Sequence, residues 1–175
     1  MPSTAPLLRT ARLTLRPHRT DDFDACAAMW ADPVVVRHIG GRPFTPEETW
    51  AKLLRYAGLW ALLGFGYWVV EETSSGRLVG EVGFADFHRD MTPSLGDQPE
   101  AGWVLAPWAH GVGFATEALG AALAWTDEHL PGRATVCIID PDNLASIRVA
   151  TKGGYRELAH GVYKEAPALV MRRAP

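Results

Sequence analysis

The chain has 175 residues, of which 47% are hydrophobic and 21% charged, which is typical of a globular domain and excludes a disordered one. Its 17 basic and 20 acidic residues give a formal net charge of −3 without a dense basic cluster, which argues against nucleic acid as the main partner. We therefore treat residues 1–175 as a single domain with a sizeable core, and residues 1–7 as a loose tail.

Nothing in the sequence predicts export, a membrane span or a metal site. The longest uncharged run, Tyr56–Val70, is shorter than the ~20 residues that a spanning helix needs. Cys26 and Cys137 lie on an apolar helix face and in an apolar strand, which predicts buried free thiols and not a disulfide. The six histidines show no ligand spacing, so we expect no metal, no membrane contact and a cytoplasmic location.

The first third of the chain predicts one strand and two helices. Arg12–Pro17 alternates polar and apolar side chains and is predicted to form a strand that ends at the proline. Thr20–Asp22 can cap a helix whose apolar residues follow at helical spacing. Thr45–Glu48 has the pattern of a capping box, and the helix after it is predicted to end near Gly64. Its buried face is predicted to consist of Trp50, Leu53, Leu54, Ala57 and Trp60.

The middle of the chain predicts a hairpin, a polar connection, a further strand and a long helix. Residues 65–72 and 77–87 are β-rich runs joined by a Thr-Ser-Ser-Gly turn, which predicts a hairpin. His88–Pro99 is polar and contains prolines. Glu100–Leu105 is the next predicted strand, and an alanine-rich helix is predicted over Ala118–Leu130.

The last third predicts a strand, a short helix and two more strands. Ala134–Ile139 is rich in β-branched residues and is predicted to be a central strand. Leu144–Lys152 is a short helix that two glycines end. Tyr155–His160 and Ala168–Arg173 are predicted to pair antiparallel. Together these elements predict an α+β fold with a mixed sheet and one clear parallel crossover.

The segment His110–Glu117, between a strand and a helix, carries the strongest functional signal. Free N–H groups at a helix N-terminus and the positive end of its dipole bind anions, and Gly111 and Gly113 let the backbone approach a ligand closely. A P-loop is excluded because no lysine and hydroxyl residue follow Gly113. A Rossmann fingerprint is excluded because Thr116 replaces the third small residue and the preceding chain is a hairpin.

The sequence His110-Gly-Val-Gly-Phe-Ala115 resembles the Gln/Arg-x-x-Gly-x-Gly/Ala loop of the GNAT acetyltransferases. The flanking Glu100–Pro107 and Ala115–Ala118, with Asp142–Arg148 downstream, are similar to the RimJ/RimL-like branch of ribosomal-protein N-acetyltransferases. The similarity extends over roughly residues 8–173. It implies an α+β fold with a mixed, mostly antiparallel sheet of six to seven strands, about four helices on both faces, and a splay at the acyl-CoA cleft.

The resemblance also implies that the co-substrate is acetyl-CoA. Its pyrophosphate would rest on the turn, at His110, Gly111, Val112, Gly113, Phe114 and Ala115, and the Thr116 hydroxyl can contribute. Its pantetheine arm would run along Val104 and Leu105 and contact Asn143, which can equally serve as a helix N-cap. Because His110 replaces the usual Gln or Arg, and Val112 a frequent Lys or Arg, the turn is expected to depend on backbone dipoles.

Acetyl transfer to an amine requires an unprotonated nucleophile and a proton for the departing thiolate. Glu100 matches a glutamate of many GNAT enzymes and is the expected base, with an exposed strand-end carboxylate as the alternative. Glu81 is the reserve, although a surface-facing role is expected for it. Ser146 matches a serine that can protonate the thiolate, or it only bonds the helix N-terminus. Ala150 stands where the superfamily's usual tyrosine would be.

We therefore predict an acetyl-CoA-dependent N-acetyltransferase that transfers the acetyl group directly to a primary amine, either a protein N-terminus or a small molecule. Neither cysteine has a motif that would make it a nucleophile. Two alternatives stay open from the sequence: a non-catalytic acyl-CoA-binding or regulatory domain, and a scaffold protein with tryptophan-rich surfaces. The family resemblance makes a homodimer plausible, and the acceptor is not encoded in any motif.

Overall fold

The computed structural model describes residues 3–175, which form one nine-stranded mixed sheet. The strands are β1 (Leu8–Arg9), β2 (Leu13–Arg16), β3 (Tyr67–Glu72), β4 (Leu78–Ala85), β5 (Met91–Thr92), β6 (Glu100–Leu105), β7 (Thr135–Ile139), β8 (Arg156–Tyr163) and β9 (Ala166–Arg173). Their order across the sheet is β1-β2-β3-β4-β6-β7-β9-β8-β5. Strands β6 and β7 are parallel, and the other neighbouring pairs are antiparallel. The predicted α+β class and parallel crossover are confirmed.

The sheet is larger than the predicted six to seven strands because two-residue strands extend both of its edges. β1 pairs with β2, and β5 pairs with β8. Such short pairs carry too little periodicity to be recognised in a sequence. The tail predicted at residues 1–7 lies partly outside the described residues; in its described part Leu7 is exposed, whereas Ala5 and Pro6 contact the fold. Ala5 is buried, and the carbonyl of Pro6 accepts a 2.9 Å hydrogen bond from Nε1 of Trp68.

Five α-helices flank the sheet within residues 3–175: α1 (Phe23–Trp30), α2 (Pro33–Val36), α3 (Pro46–Leu63), α4 (Phe114–His129) and α5 (Leu144–Lys152). The capping box predicted for α3 is confirmed, since the Glu48 amide donates to Oγ1 of Thr45 (3.2 Å) and the Thr45 amide donates to Oε2 of Glu48 (2.8 Å). Helix α4 begins at Phe114 and not at the predicted Ala118. Over the described part of the chain, no helix combines the length and apolarity that a membrane crossing needs.

The predicted buried face of α3 is partly wrong. Trp50 and Leu54 are 38% and 49% exposed, and the buried residues are Thr49, Leu53, Tyr56 and Trp60. The polar atom of Thr49 can be buried because its hydroxyl donates to the carbonyl of Thr45 at 3.2 Å. The stripe that contacts the sheet is therefore rotated relative to the apolar pattern of the sequence.

Alternate residues of β6 define the two faces of the sheet. Ala101 and Leu105 pack with α4 in the main core, whereas Val104 packs with residues of α1 and α2 on the opposite face. Helix α3 also covers this second face, where Tyr56 lies against Tyr67 and Ala85. The thiols of both cysteines are free and buried, as predicted. The centre of the sheet thus separates α4, which begins at the glycine turn, from α1, α2 and α3 on the other face.

Candidate active site

The parallel strands β6 and β7 diverge at the centre of the sheet. They are in register at Glu100 and Val136, where the Val136 amide donates to the carbonyl of Pro99 (3.1 Å). From there β6 continues to Leu105 paired with β4, and β7 continues to Ile139 paired with β9. A wedge-shaped gap therefore opens toward the C-terminal ends of both strands, over about 17 Å of β6. This is the splay that the resemblance implied.

The glycine turn lies at the open end of this wedge. Gly111 and Gly113 have φ of 77° and 88°, which is a left-handed conformation that is unfavourable for residues with a side chain. Gly113 is the N-cap of the 16-residue helix α4, and the first helical bond runs from the Glu117 amide to the Gly113 carbonyl (3.1 Å). The amides of the first helical turn, up to Thr116, are thus left without intrahelical partners. The side chain of His110 folds back, with Nε2 at 2.9 Å from the carbonyl of Leu105, and braces the turn against β6.

Arg12 supplies a positive charge to the turn, and the sequence did not predict this role. It lies one residue before β2, and its Nη1 donates to the carbonyl of Val112 (3.0 Å). Nε and Nη2 each lie 2.7 Å from Oε2 of Glu117, and the guanidinium carbon sits 4.6 Å from the ring centre of Phe114. The turn can therefore attract an anion through the Arg12 charge as well as through backbone dipoles. No local pattern predicts this contact, because it joins residues about 100 positions apart.

Asn143 and Ser146 lie on the other side of the open end, where α5 follows β7. The Asn143 side chain accepts a hydrogen bond from the Ser146 amide (3.1 Å), so its helix N-cap role is confirmed. The Ser146 side chain is half-buried at the first turn of α5. Ala150 is fully buried in the main core, which places this position away from the wedge.

Glu100 stands at the closed end of the wedge and is 5% exposed, so the alternative of an exposed strand-end carboxylate is wrong. Nε and Nη2 of Arg89 donate to its two carboxylate oxygens at 2.6 and 2.7 Å. The Arg89 guanidinium also lies 4.7 Å from the ring centres of both Phe87 and Tyr163. Glu100 and Arg89 line a cavity of about 190 Å³ beneath the connection between β4 and β6. An acceptor that entered this cavity would meet both charges.

The structure therefore does not bring the two predicted catalytic residues together. Glu100 and Ser146 stand at opposite ends of the wedge, separated by the diverging parts of β6 and β7.

Glu81 is fully buried, and the surface-facing role expected for it is wrong. Its Oε1 lies 2.8 Å from Nε2 of His18, and Nε1 of Trp30 donates to Oε2 at 2.9 Å. Burial opposes ionisation of this carboxyl, but the hydrogen bond and charge of His18, the nearby Lys52 and the indole of Trp30 outweigh it and lower the pKa of Glu81. Because Nδ1 of His18 is buried without a partner in the described part of the chain, this network is not fully satisfied.

Lys52 of α3 lies among aromatic rings on the same face. Its Nζ is 4.1 Å from the ring centre of Trp30, about 5 Å from those of Phe44 and Tyr56, and donates to the Tyr56 hydroxyl at 3.2 Å. Burial lowers the pKa of Lys52 from 10.5 to about 8. The face that α1 and α3 cover therefore holds both a buried carboxylate and a lysine that is partly neutral near neutral pH.

These features fit an acyl-CoA. The free amides and Arg12 suit a diphosphate, and the wedge suits an extended arm that enters between two strands. Within residues 3–175, no group of three or more His, Cys, Asp or Glu side chains could hold a metal ion.

Comparison with known proteins agrees with this geometry. The Acetyltransferase (GNAT) domain family matches residues 12–156, which is most of the chain. The chain belongs to the GNAT acetyltransferase family. A putative GNAT-family acetyltransferase from Bordetella pertussis has 31% sequence identity and a TM-score of 0.85, over 97% of this chain and 100% of that one. The uncharacterized N-acetyltransferase p20 of Bacillus licheniformis is 27% identical over 81% of this chain and 78% of its own length. The GNAT domain is thus an N-acetyltransferase.

More distant structures share the fold alone. RimL, the ribosomal L7/L12 α-N-protein acetyltransferase, was solved with coenzyme A and has 14% identity and a TM-score of 0.78, over 97% of this chain and 98% of that one. A spermidine N-acetyltransferase from Vibrio cholerae, solved with CoA and spermine, has 17% identity and a TM-score of 0.74, over 94% and 96% of the two chains. These neighbours agree with the observed fold, and their names give different acceptors, a ribosomal protein and a polyamine.

Proposed function

We propose that this GNAT enzyme transfers the acetyl group of acetyl-CoA directly to a primary amine. The observation that carries the proposal is the wedge between β6 and β7, with the free amides of the α4 N-terminus and the Arg12 guanidinium at its open end. The CoA-bound relatives of the same fold support the choice of donor.

The donor would be held in three places. The amides at Gly111–Thr116 would bind the pyrophosphate, and His110 and Arg12 would fix the shape of the turn. The backbone of Val104 and Leu105 would flank the pantetheine arm, because this edge of β6 is not paired with β7. Asn143 would face the arm from α5 while it caps that helix.

Glu100 is the proposed base at the closed end of the wedge. The amine nitrogen bonds to the acetyl carbon, the carbon–sulfur bond breaks, the amine gives its proton to Glu100 directly or through water, and the thiolate takes a proton to leave as CoA thiol. Arg89 occupies both oxygens of Glu100. An incoming amine must therefore share these oxygens with Arg89, so Arg89 would position the base. The proposed donor of the proton to the thiolate is Ser146, in the first turn of α5, directly or through water.

The acceptor is proposed only as a primary amine, on a protein N-terminus or a small molecule. The relatives that share the fold include one that acts on a ribosomal protein and one that was solved with a polyamine. The cavity at Glu100 carries carboxylates and an arginine, so its charge alone does not choose between these classes.

The test is release of CoA thiol from acetyl-CoA with a panel of peptides, amino acids and polyamines, with the acetylated amine identified by mass spectrometry. We expect Glu100→Gln to lower turnover by about 100-fold, because general base catalysis contributes on this scale. Glu128→Gln, which removes an exposed carboxylate of α4, should retain wild-type turnover. CoA binding without thiol release across the whole panel would support a non-catalytic acyl-CoA-binding domain instead.

A further inference from the structure

Tyr67 lies across two strands because glycines face it. Tyr67 of β3, Gly83 of β4 and Gly102 of β6 are successive partners in the register of the sheet, so they share one face. A Cβ built on Gly102 would overlap the hydroxyl oxygen of Tyr67, and one built on Gly83 would overlap the backbone at Gly66 and Tyr67. The phenol therefore reaches from β3 over β4, and its hydroxyl ends against the backbone of β6.

Glycine at these strand positions makes folding less favourable. Glycine inside a strand loses more backbone entropy on folding than other residues and contributes no side-chain contacts. Gly83 and Gly102 are both interior strand residues. Gly83 permits the close approach of the backbone at Gly66 and Tyr67, and Gly102 leaves the space that the Tyr67 hydroxyl fills.

Gly102 is where a chain inserted between β6 and β7 would end. The two strands are still paired at Glu100, so the wedge closes there, and Gly102 lies just inside it. The hydroxyl of Tyr67 approaches from the face that α1 and α3 cover, which is the side that carries Glu100 and its cavity. The acyl end of a bound thioester would therefore lie beside this hydroxyl.

The chemistry of the Tyr67 hydroxyl suits a neutral hydrogen-bond donor. Burial, together with the negative charge of Glu100, raises the pKa of Tyr67, although Arg89 opposes this, so the phenol keeps its proton. The ring is stacked on Tyr56 with centres 4.1 Å apart and an interplanar angle of 6°, which fixes its direction. The Tyr56 hydroxyl accepts a hydrogen bond from Lys52, whereas the Tyr67 hydroxyl makes no hydrogen bond to another group within residues 3–175.

We propose that the Tyr67 hydroxyl is a catalytic hydrogen-bond donor, which binds the acetyl oxygen of acetyl-CoA and stabilises the negative charge formed there. This inference rests on the proposed acetyl transfer. When the amine nitrogen bonds to the acetyl carbon, the carbonyl π electrons move to the oxygen, which accepts the hydrogen bond of Tyr67. When the carbon–sulfur bond breaks, the carbonyl re-forms and the electron pair leaves with the sulfur. Tyr67 keeps its own proton throughout.

The variants Tyr67→Phe and Tyr56→Phe separate this role from packing. Both remove one hydroxyl from the same pair of stacked, buried rings. We expect Tyr67→Phe to lower kcat by about 100-fold with the KM for acetyl-CoA nearly unchanged, because loss of one such donor acts on the transition state. Tyr56→Phe should stay within threefold of wild type. A Tyr67→Phe kcat within threefold of wild type, or an equal loss in both variants, would overturn the proposal.

A second readout does not require turnover. Acetyl-CoA labelled with ¹³C at the acetyl carbonyl, bound without acceptor, should show a lower carbonyl stretching frequency in wild type and Tyr56→Phe than in Tyr67→Phe. Turnover with no such difference between the variants would overturn the role of Tyr67 and leave the acetyltransferase intact. The frequency difference without turnover on any amine would support Tyr67 as the carbonyl donor and contradict acetyl transfer.

Discussion

Arg12→Gln tests whether the turn needs a charge from outside its own sequence. The substitution removes the guanidinium that contacts the Val112 carbonyl, Glu117 and the Phe114 ring. Its effect on folding should be small, at about 0–1 kcal/mol, because the side chains of Arg12 and Glu117 are 47% and 18% exposed and water screens their ion pair.

The effect on CoA binding should be larger than the effect on folding. Three of the five guanidinium N–H groups are used within the protein, which leaves two for an anion at the turn. A hydrogen bond to a charged group contributes about 1.5–3 kcal/mol, and Glu117 offsets part of the positive charge, so the lower end applies. That value corresponds to about a tenfold rise in the Kd for CoA.

Titration calorimetry with CoA measures this directly, and Arg9→Gln is the matched control. Arg9 is an exposed arginine of β1, so its loss changes the net charge equally without touching the turn. The difference between the variants should shrink as salt is raised, since a partly exposed charge is screened. A Kd for Arg12→Gln within twofold of wild type, or an equal rise in Arg9→Gln, would refute the reasoning.

Two further predictions concern the buried charges. Glu81→Gln should lower the free energy of unfolding at pH 7 by about 2–4 kcal/mol in urea titrations, because it breaks a buried hydrogen-bonded pair. Since the folded pKa of Glu81 is lowered, its stabilisation is present above the unfolded pKa of about 4.3 and is lost as pH falls through the folded value. The variant's stability should therefore depend less on pH in this acidic range, and an equal dependence would contradict the assignment. The second prediction concerns Lys52, whose pKa is lowered to about 8. Its rate of acylation by a small reagent, measured by peptide mass spectrometry, should therefore be half-maximal near pH 8. A rate that keeps rising beyond pH 10 would show that this lysine is not desolvated.

The elements that the sequence predicted are those with local signals. The capping box at Thr45, the strand Glu100–Leu105 and the helix Leu144–Lys152 each depend on residues within a few positions of one another. The exposed Trp50 and Leu54 show where this approach fails. Apolarity alone predicts which side chains could be buried, whereas the orientation of α3 on the sheet, where Tyr56 stacks on Tyr67, decides which are.

In the candidate site, too, only the features with local sequence signals could be predicted. The glycine turn and the Asn143 cap could be predicted because their conformations follow from glycine φ angles and from local side-chain bonding. The contacts of Arg12 with the turn and of Glu81 with His18 could not, since each joins segments that only the folded sheet brings together. Arg89 reaches Glu100 from a polar connection without a recognisable motif.

The most direct measurement is a crystal structure of the protein with acetyl-CoA. We predict that the pyrophosphate lies on the amides of Gly111–Thr116, that the pantetheine arm fills the gap between β6 and β7, and that the acetyl oxygen lies within hydrogen-bonding distance of the Tyr67 hydroxyl. A nucleotide bound elsewhere, or an arm outside this wedge, would contradict this prediction.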